Sequence, residues 1–165
     1  FEAENFLKVP EPSIQKSFSR IMSLKDGTKK MSKSDPSDLS RINMTDSEDQ
    51  IINKIKKAKT DNDPIPENDA GLSKRPEVEN LLGIYSSLSN QSLDKTLSEF
   101  SGKNFSDFKK NLADKLVEKI SPISKEIRKI QKDKSFIDNI LHNGAQKAEK
   151  IAKSKVDEMK KIIGF

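Results

Sequence analysis

The chain has 165 residues, of which 32% are apolar and 35% charged, with a net charge of +5. That length allows one compact domain, or a small domain with part of another, and the polar balance favours helices with narrow apolar stripes and charged outer faces. The absence of cysteine excludes disulfides, thiolate zinc sites and iron–sulfur clusters, and no run approaches the roughly 18–20 apolar residues of a membrane span.

Phe1 to Pro12 carry acids and lack an Arg-rich amphipathic pattern, so they do not read as a transit peptide. A start at Phe1 rather than Met suits a partial chain. Up to about Ser40 the sequence is irregular. Val9-Pro10-Glu11-Pro12 is an extended or turn segment. Ser19 to Leu24 alternates in a way that predicts a short strand, and Lys25-Asp26-Gly27 follows as a turn. Lys29 to Pro36 (KKMSKSDP) is a polar, flexible loop.

Helical signals dominate from Thr45 onward. Thr45 with Glu48 predicts a capping box, followed by an apolar stripe of Ile51, Ile52, Ile55 and Ala58. Lys54, Lys56, Lys57 and Lys59 fill the rest of that helix and its C-terminal end, where cations suit the macrodipole. Thr60 to Ser73 is a loop by composition. Pro76 suits the first position of a helix with Val78, Leu81, Leu82, Tyr85 and Leu88 inward. Ser92 should cap a short helix carrying Leu93, Leu97 and Phe100 and ended by Gly102. Phe105, Phe108, Leu112, Leu116 and Ile120 space out a longer one. Pro122 should kink it, or start another helix carrying Ile123, Ile127 and Ile130. A further segment around Phe136, Ile137, Ile140 and Leu141 should stop at Asn143-Gly144. The last helix places Ala148, Ile151, Ala152, Val156, Met159 and Ile163 on one face. The expectation is a mainly α fold behind a short irregular lead.

The stretch with chemical content is Lys30-Met31-Ser32-Lys33-Ser34. Two lysines three apart on a mobile loop, with serines beside them, can surround a polyphosphate with charge and hydroxyl donors. Such cations suit phosphoryl and nucleotidyl chemistry, in which negative charge builds on the leaving oxygens.

KMSKS is also the signature pentapeptide of class I aminoacyl-tRNA synthetases. Its setting here, RIMSLKDGTKKMSKSDPSDL, resembles the tryptophanyl-tRNA synthetases in particular. The resemblance continues in TDSEDQIINKIKKAKTD, RPEVENLLGIYSSLSNQSL, GKNFSDFKKNLAD, NGAQKAEKIA and the closing GF, from about Pro10 to Phe165. It implies a helical bundle of the anticodon-binding type, preceded by the final strand and KMSKS loop of a class I Rossmann catalytic domain. The implied division is residues 1–44 and 45–165. It also implies an enzyme that activates L-tryptophan with ATP, releases pyrophosphate, and esterifies the 3′ end of tryptophan tRNA. Matched by position, Lys30 and Lys33 would act in catalysis on the ATP phosphates. Ser32 and Ser34 would add hydroxyl or backbone donors, and Met31 with Ile21 would hold adenine from backbone groups. Magnesium would accompany the triphosphate without a dedicated protein ligand.

The family's other ATP signature and its tryptophan pocket are expected upstream, so the chain alone is expected not to form tryptophanyl-adenylate. The single histidine, His142, reads as an ordinary surface or helix-end residue. A homodimer is implied for the full-length protein. The tRNA would meet basic side chains at Lys54 to Lys59, Lys103, Lys109-Lys110 and the 125–134 region, while Phe105, Phe108 and Phe136 fall on predicted core faces. No membrane partner is expected. Alternatives are a tyrosyl-type class I synthetase, or a helical RNA-binding module without enzymatic activity. The stretch from Ile120 to the closing GF looks most like eukaryotic mitochondrial enzymes, which places the protein in the mitochondrial matrix, with a bacterial cytoplasm as the second choice.

Overall fold

The computed structural model describes residues 6–14 and 18–165. Residues 1–5, the start of the stretch weighed above as a transit peptide, lie outside them. The regular structure among the described residues is helical: α1 (Glu48–Lys57), α2 (Pro76–Ser89), α3 (Leu93–Phe100), α4 (Phe105–Lys132) and α5 (Lys134–Ile163), with single 3-10 turns at Asp38–Ser40 and Asp69–Leu72. No helix among them is long and apolar enough to cross a membrane. Packing groups residues 15–127 into one unit, and residues 1–14 with 128–165 into another.

The core of the 15–127 unit follows the predicted faces of α2, α3 and the first half of α4. Val78, Leu81, Leu82 and Tyr85 are buried on α2, Leu97 and Phe100 on α3, and Phe105, Phe108, Leu112 and Leu116 on α4. Phe100 sits edge-on to both Tyr85 and Phe108 at centroid separations of 5.0 Å, a geometry that aligns ring edges with ring faces. Ser92 caps α3 by accepting from the Lys95 N–H, as expected. Gly102 takes φ +72, the left-handed conformation that glycine adopts without a Cβ clash. That turn lets the Gly102 N–H reach the Ile65 carbonyl while the Ile65 N–H reaches Lys103. The long 60–73 loop is therefore stitched to the α3–α4 joint. Arg75 holds it from the other side, donating to the Asp61 carboxylate and to the Asp63 and Pro64 carbonyls.

Several expectations are corrected. The capping box of α1 is built by Ser47 and Gln50, not by Thr45 and Glu48. The carboxylate of Asp46 turns inward to Lys54 and the Asn43 N–H, which moves the helix start two residues on. Within α1, Ile51 and Ile55 are buried but Ile52 is exposed. Lys54, placed on an outer basic face, is only 3% exposed and pairs with Asp46 and Asp38, each at 2.7 Å. Between Ser19 and Leu24 the expected strand is reduced to one antiparallel bridge, Met22 with Lys30.

Pro122 neither starts a helix nor ends one, since α4 runs through it. An interior proline costs about 3 kcal/mol in lost hydrogen bonding and steric clash. Tertiary bonds at the same turn offset that cost. Ser121 donates to the Glu48 carboxylate and Ser124 to the Met44 carbonyl, each at 2.6 Å. These two serines are buried there, while Ile123 and Ile130, expected inward, are exposed.

In the second unit, α5 runs straight across Asn143-Gly144 and ends at Gly164, whose φ of +86 supplies the C-terminal turn. A mid-helix glycine costs only about 1 kcal/mol relative to alanine, too little to stop a helix with favourable residues on both sides. No residue of α5 is buried, so Phe136, Ile140, Ile151, Val156 and Ile163 do not form the core face their spacing suggested. His142 is exposed in mid-helix beside Gln146, as an ordinary surface residue.

Removing one partner of a buried ion pair leaves the other charge stranded. Lys54→Ala is therefore expected to lower the unfolding free energy by roughly 3 kcal/mol. Lys56→Ala, on the exposed side of the same helix, should stay within about 0.5 kcal/mol of the parent. Chemical denaturation of both variants checks the contrast, and equal small effects would refute it.

Candidate functional site

The KMSKS pentapeptide hangs from a tight hairpin. The Met31 N–H donates to the Ile21 carbonyl at 3.0 Å and the Ser23 N–H donates to the Lys29 carbonyl at 2.8 Å. These bonds flank the Met22–Lys30 bridge, so Met22 and Lys30 form a non-hydrogen-bonded pair whose own backbone groups point away from each other. The turn between the arms is organised by Asp26, which accepts from both the Thr28 N–H and its hydroxyl and pairs with Lys29 at 3.1 Å. The Thr28 hydroxyl, then Lys29, hold the Asp26 carboxyl down to about 2 from its ordinary 3.8.

Three contacts lay the hairpin along α2. A Cβ on Gly27 would overlap the Glu77 nitrogen and the Pro76 carbonyl, so the turn closes on the first residues of that helix only because this position is glycine. One turn on, the Asn80 amide takes both outward groups of Met22, accepting from its N–H and donating to its carbonyl, each at 2.9 Å. At Gly83 the ring of Phe18 occupies the space a side chain would need. The next residues of the arm are held from other elements. The Leu24 N–H donates to the Ser40 carbonyl, and its own carbonyl accepts from the Lys59 N–H, just past the C-terminus of α1.

Beyond the pentapeptide the chain is fixed again. The Ser37 N–H donates to the Asp35 carboxylate at 2.7 Å, and Arg41 reaches back to the Asp35 carbonyl and the Asp38 carboxylate. Asp38 shares Lys54 with Asp46, and the Lys54 hydrogen bond is the main cause holding its carboxyl below the usual range. The result is a loop pinned at both ends. Lys30, Ser32, Lys33 and Ser34 are exposed, Ile21 is 46% exposed, and Met31 is half-buried against the core. The Ser32 and Ser34 hydroxyls lie 3.0 Å apart, and the Ser34 N–H donates to the Ser32 hydroxyl at 3.3 Å, a local turn that sets the two serines on one side.

All six residues expected at the nucleotide are thus gathered on one projecting hairpin. It presents two ammonium groups and two hydroxyls to solvent, which suits a polyanion. Asp26, Asp35 and Asp38 are each bonded to protein groups, and the described residues contain no cluster of three or more acidic or histidine side chains that could hold a metal ion.

The expected basic face is more divided. Lys59 pairs with Glu77 at 2.6 Å, Lys125 with Glu48 at 3.3 Å, and Lys103 lies 5.0 Å from the Phe100 ring centre. Lys109 donates to the Ala58 carbonyl at 2.6 Å, and burial lowers its pKa. Lys56 and Lys110 line an open groove of about 930 Å³ with Asn62, Asn104 and Phe105. Asn80, Arg41 and Asp46, which help set the loop in place, were absent from the sequence expectations, and Gly27 entered them only as part of a turn. Of these, Asn80 left a legible trace as a polar residue inside the apolar run VENLLGI.

The hairpin presents the KMSKS lysines and serines to solvent, and its base is held by α2 and by residues flanking α1. Residues 2–121 match the family of class I tRNA synthetases for tryptophan and tyrosine, and the chain belongs to that family. Within it the likeness is to the C-terminal portion of tryptophanyl enzymes. The chain is 48% identical over 164 residues to a tryptophan–tRNA ligase of Brucella melitensis, covering 99% of this chain and 46% of that protein. It is 52% identical over 155 residues to one of Rhizobium meliloti, covering 94% and 44%. The crystal structure of tryptophanyl-tRNA synthetase from Mycoplasma pneumoniae superposes with a TM-score of 0.77 at 27% identity, covering 99% of this chain and 49% of that one. The Campylobacter jejuni enzyme, solved with ADP and tryptophan, shares the fold with a TM-score of 0.68 at 22% identity, covering 99% and 49%. The chain spans about half the length of the curated relatives it matches. These relatives favour the tryptophan branch over the tyrosyl alternative and over a module without activity. They are bacterial, and the mitochondrial expectation finds no support in them.

The depressed Asp26 carboxyl has a signed consequence. Its folded value lies below its ordinary one, so its contribution to the turn is complete above about pH 4 and is lost as pH falls towards about 2. Carbon-13 NMR of the Asp26 carboxyl should show a midpoint near 2. A midpoint at the ordinary 3.8 would remove the Thr28 and Lys29 bonds from the account.

Proposed function

We propose that this chain is the phosphate-loop and tRNA-facing part of an enzyme that activates tryptophan with ATP and charges tryptophan tRNA. The observation that carries this reading is the exposed Lys30–Ser34 loop on a hairpin whose base is bonded to α1, α2 and the Asp38–Ser40 turn. In the reaction a tryptophan carboxylate oxygen attacks the α-phosphorus, and the bond to the bridging oxygen breaks. The electron pair leaves with pyrophosphate. Negative charge grows on that leaving group as the bond lengthens, and in this reading Lys30 and Lys33 stabilise it more strongly in the transition state than in bound ATP. Ser32 and Ser34 supply donors to the same oxygens.

The Met31 N–H is already donated to Ile21, so the carbonyl oxygens of this edge are the groups best suited to the adenine amino group. Magnesium bound to the triphosphate would add further charge neutralisation. Residues 1–44 belong in this reading to the end of the catalytic domain and residues 45–165 to the helical tRNA-facing domain. The groove beside Lys56 and Lys110 and the exposed lysines of α4 are the surfaces available to tRNA phosphates. The full-length enzyme is read as a homodimer in a bacterial cytoplasm, the location its relatives favour over the mitochondrial matrix.

Lys33→Ala in the intact enzyme is expected to lower kcat for tryptophan activation by about a hundredfold or more, with little change in tryptophan affinity. Pyrophosphate exchange kinetics measure both quantities. An unchanged kcat would sink the assignment.

A further inference from the structure

The Asn80 side chain is 7% exposed, and both ends of its amide are bonded to one residue, Met22. Met22 is the cross-strand partner of Lys30. The outer edge of the hairpin therefore meets a single side-chain amide from α2 where a sheet would place another strand. We propose that Asn80 is a positioning residue for the phosphate loop: by holding Met22 it sets where Lys30 and Met31 stand relative to the helical domain. This rests on the phosphate-loop reading above.

Geometry sets a demanding requirement at this site. The bound side chain must accept from an N–H and donate to a carbonyl in the same plane, which a primary amide does and an ionised carboxylate does not. The close approach of Gly27 to Pro76 and Glu77 and of Phe18 to Gly83 leaves the hairpin little freedom to find another register. Asn80 is then the element of the contact that carries direction as well as proximity.

The same requirement provides a test that distinguishes positioning from bulk stability. A protonated aspartic acid can reproduce the amide's pattern, with its O–H donating to the Met22 carbonyl and its C=O accepting from the Met22 N–H. Asn80→Asp should thus be defective when ionised and recover when protonated, and burial against a carbonyl raises the pH at which it protonates. Glu79 precedes Asn80 on α2, and the other carboxylates on the two packed elements are Glu77, paired with Lys59, and Asp26, paired with Lys29. Both are held below their ordinary values, so they stay ionised as pH falls from 8 to 5.5 (roughly the working range of the assay).

In the intact enzyme at pH 8, Asn80→Asp is expected to lower kcat for pyrophosphate exchange by about tenfold, with the tryptophan KM within about twofold of the parent. The ratio of its kcat to the parent's should climb as pH falls towards about 5.5, while Asn80→Ala should be defective with a flat ratio. If Asn80→Asp folds only at the lower pH, Asn80 acts through stability and the positioning role falls. The inference is overturned if the Asn80→Asp ratio is flat with pH, if its kcat stays within twofold of the parent throughout, or if it fails to fold at both pH values. Should Lys33→Ala lower kcat while Asn80→Asp behaves as the parent, only the positioning role falls. Should Lys33→Ala itself leave kcat unchanged, the phosphate-loop reading falls first.

Discussion

The backbone of Met22–Leu24 is the constraint on which the rest of this site depends. An extended segment exposes an N–H and a carbonyl on each edge, and burying those groups without partners would cost more than the surrounding contacts return. Beyond the short 29–31 arm, no further strand lies beside this one among the described residues. Its groups are satisfied one at a time: Met22 by Asn80, Ser23 by Lys29, and Leu24 by Ser40 and Lys59. Each partner comes from a different part of the chain, so pairing one short segment ties together α1, α2 and the turn after the loop. The Leu24 side chain, 2% exposed, then enters the helical core.

The other anchor is electrostatic. Lys54 carries its ammonium into a site where Asp46 is almost as buried, and Asp38 and Asn43 complete the set of polar partners. A buried pair of this kind adds little net stability over a well-packed apolar pair, since desolvation cancels much of the attraction. What it does supply is selection. An arrangement that separates Lys54 from Asp46 leaves a charge in the interior, so the Asp38–Ser40 turn has one favourable seat on α1. Hydrogen bonds from Asn80 and ion pairs from Lys54 thus fix the two ends of the loop by different physics.

Legibility in the sequence followed the range of the interactions. The faces of α2, α3 and early α4, the Pro76 start and the Ser92 cap are set by neighbours within a few residues, and they were readable. The loop stood out as a string of lysines and serines, and those side chains remain in solvent. Features decided by partners far along the chain were not readable. Lys54 resembled its neighbours Lys56 and Lys57, and only the fold distinguishes it by bringing Asp46 and Asp38 to it. Pro122 carried a valid local argument for a break, which the Ser121 and Ser124 bonds override from 73 and 80 residues away. The stripe on α5 shows the converse: a 3.6-residue period marks which face is apolar and says nothing about what that face meets.

The acids around KMSKS bear on the proposed role of its lysines at a polyphosphate. Three carboxylates lie within a few residues of Lys30 and Lys33, and any of them could have neutralised an ammonium. Asp26 is committed to Thr28 and Lys29, Asp35 to the Ser37 N–H, and Asp38 to Lys54, Arg41 and Asn43. Among the described residues Lys30 and Lys33 form no ion pair, so a phosphate need not first displace a carboxylate from either. The loop's neighbours fix its ends and also consume the competing charge. In the proposed reaction, a pinned base with uncommitted cations at its tip would let electrostatic stabilisation be reserved for charge that develops during bond breaking, where it accelerates the reaction instead of only tightening the ground state.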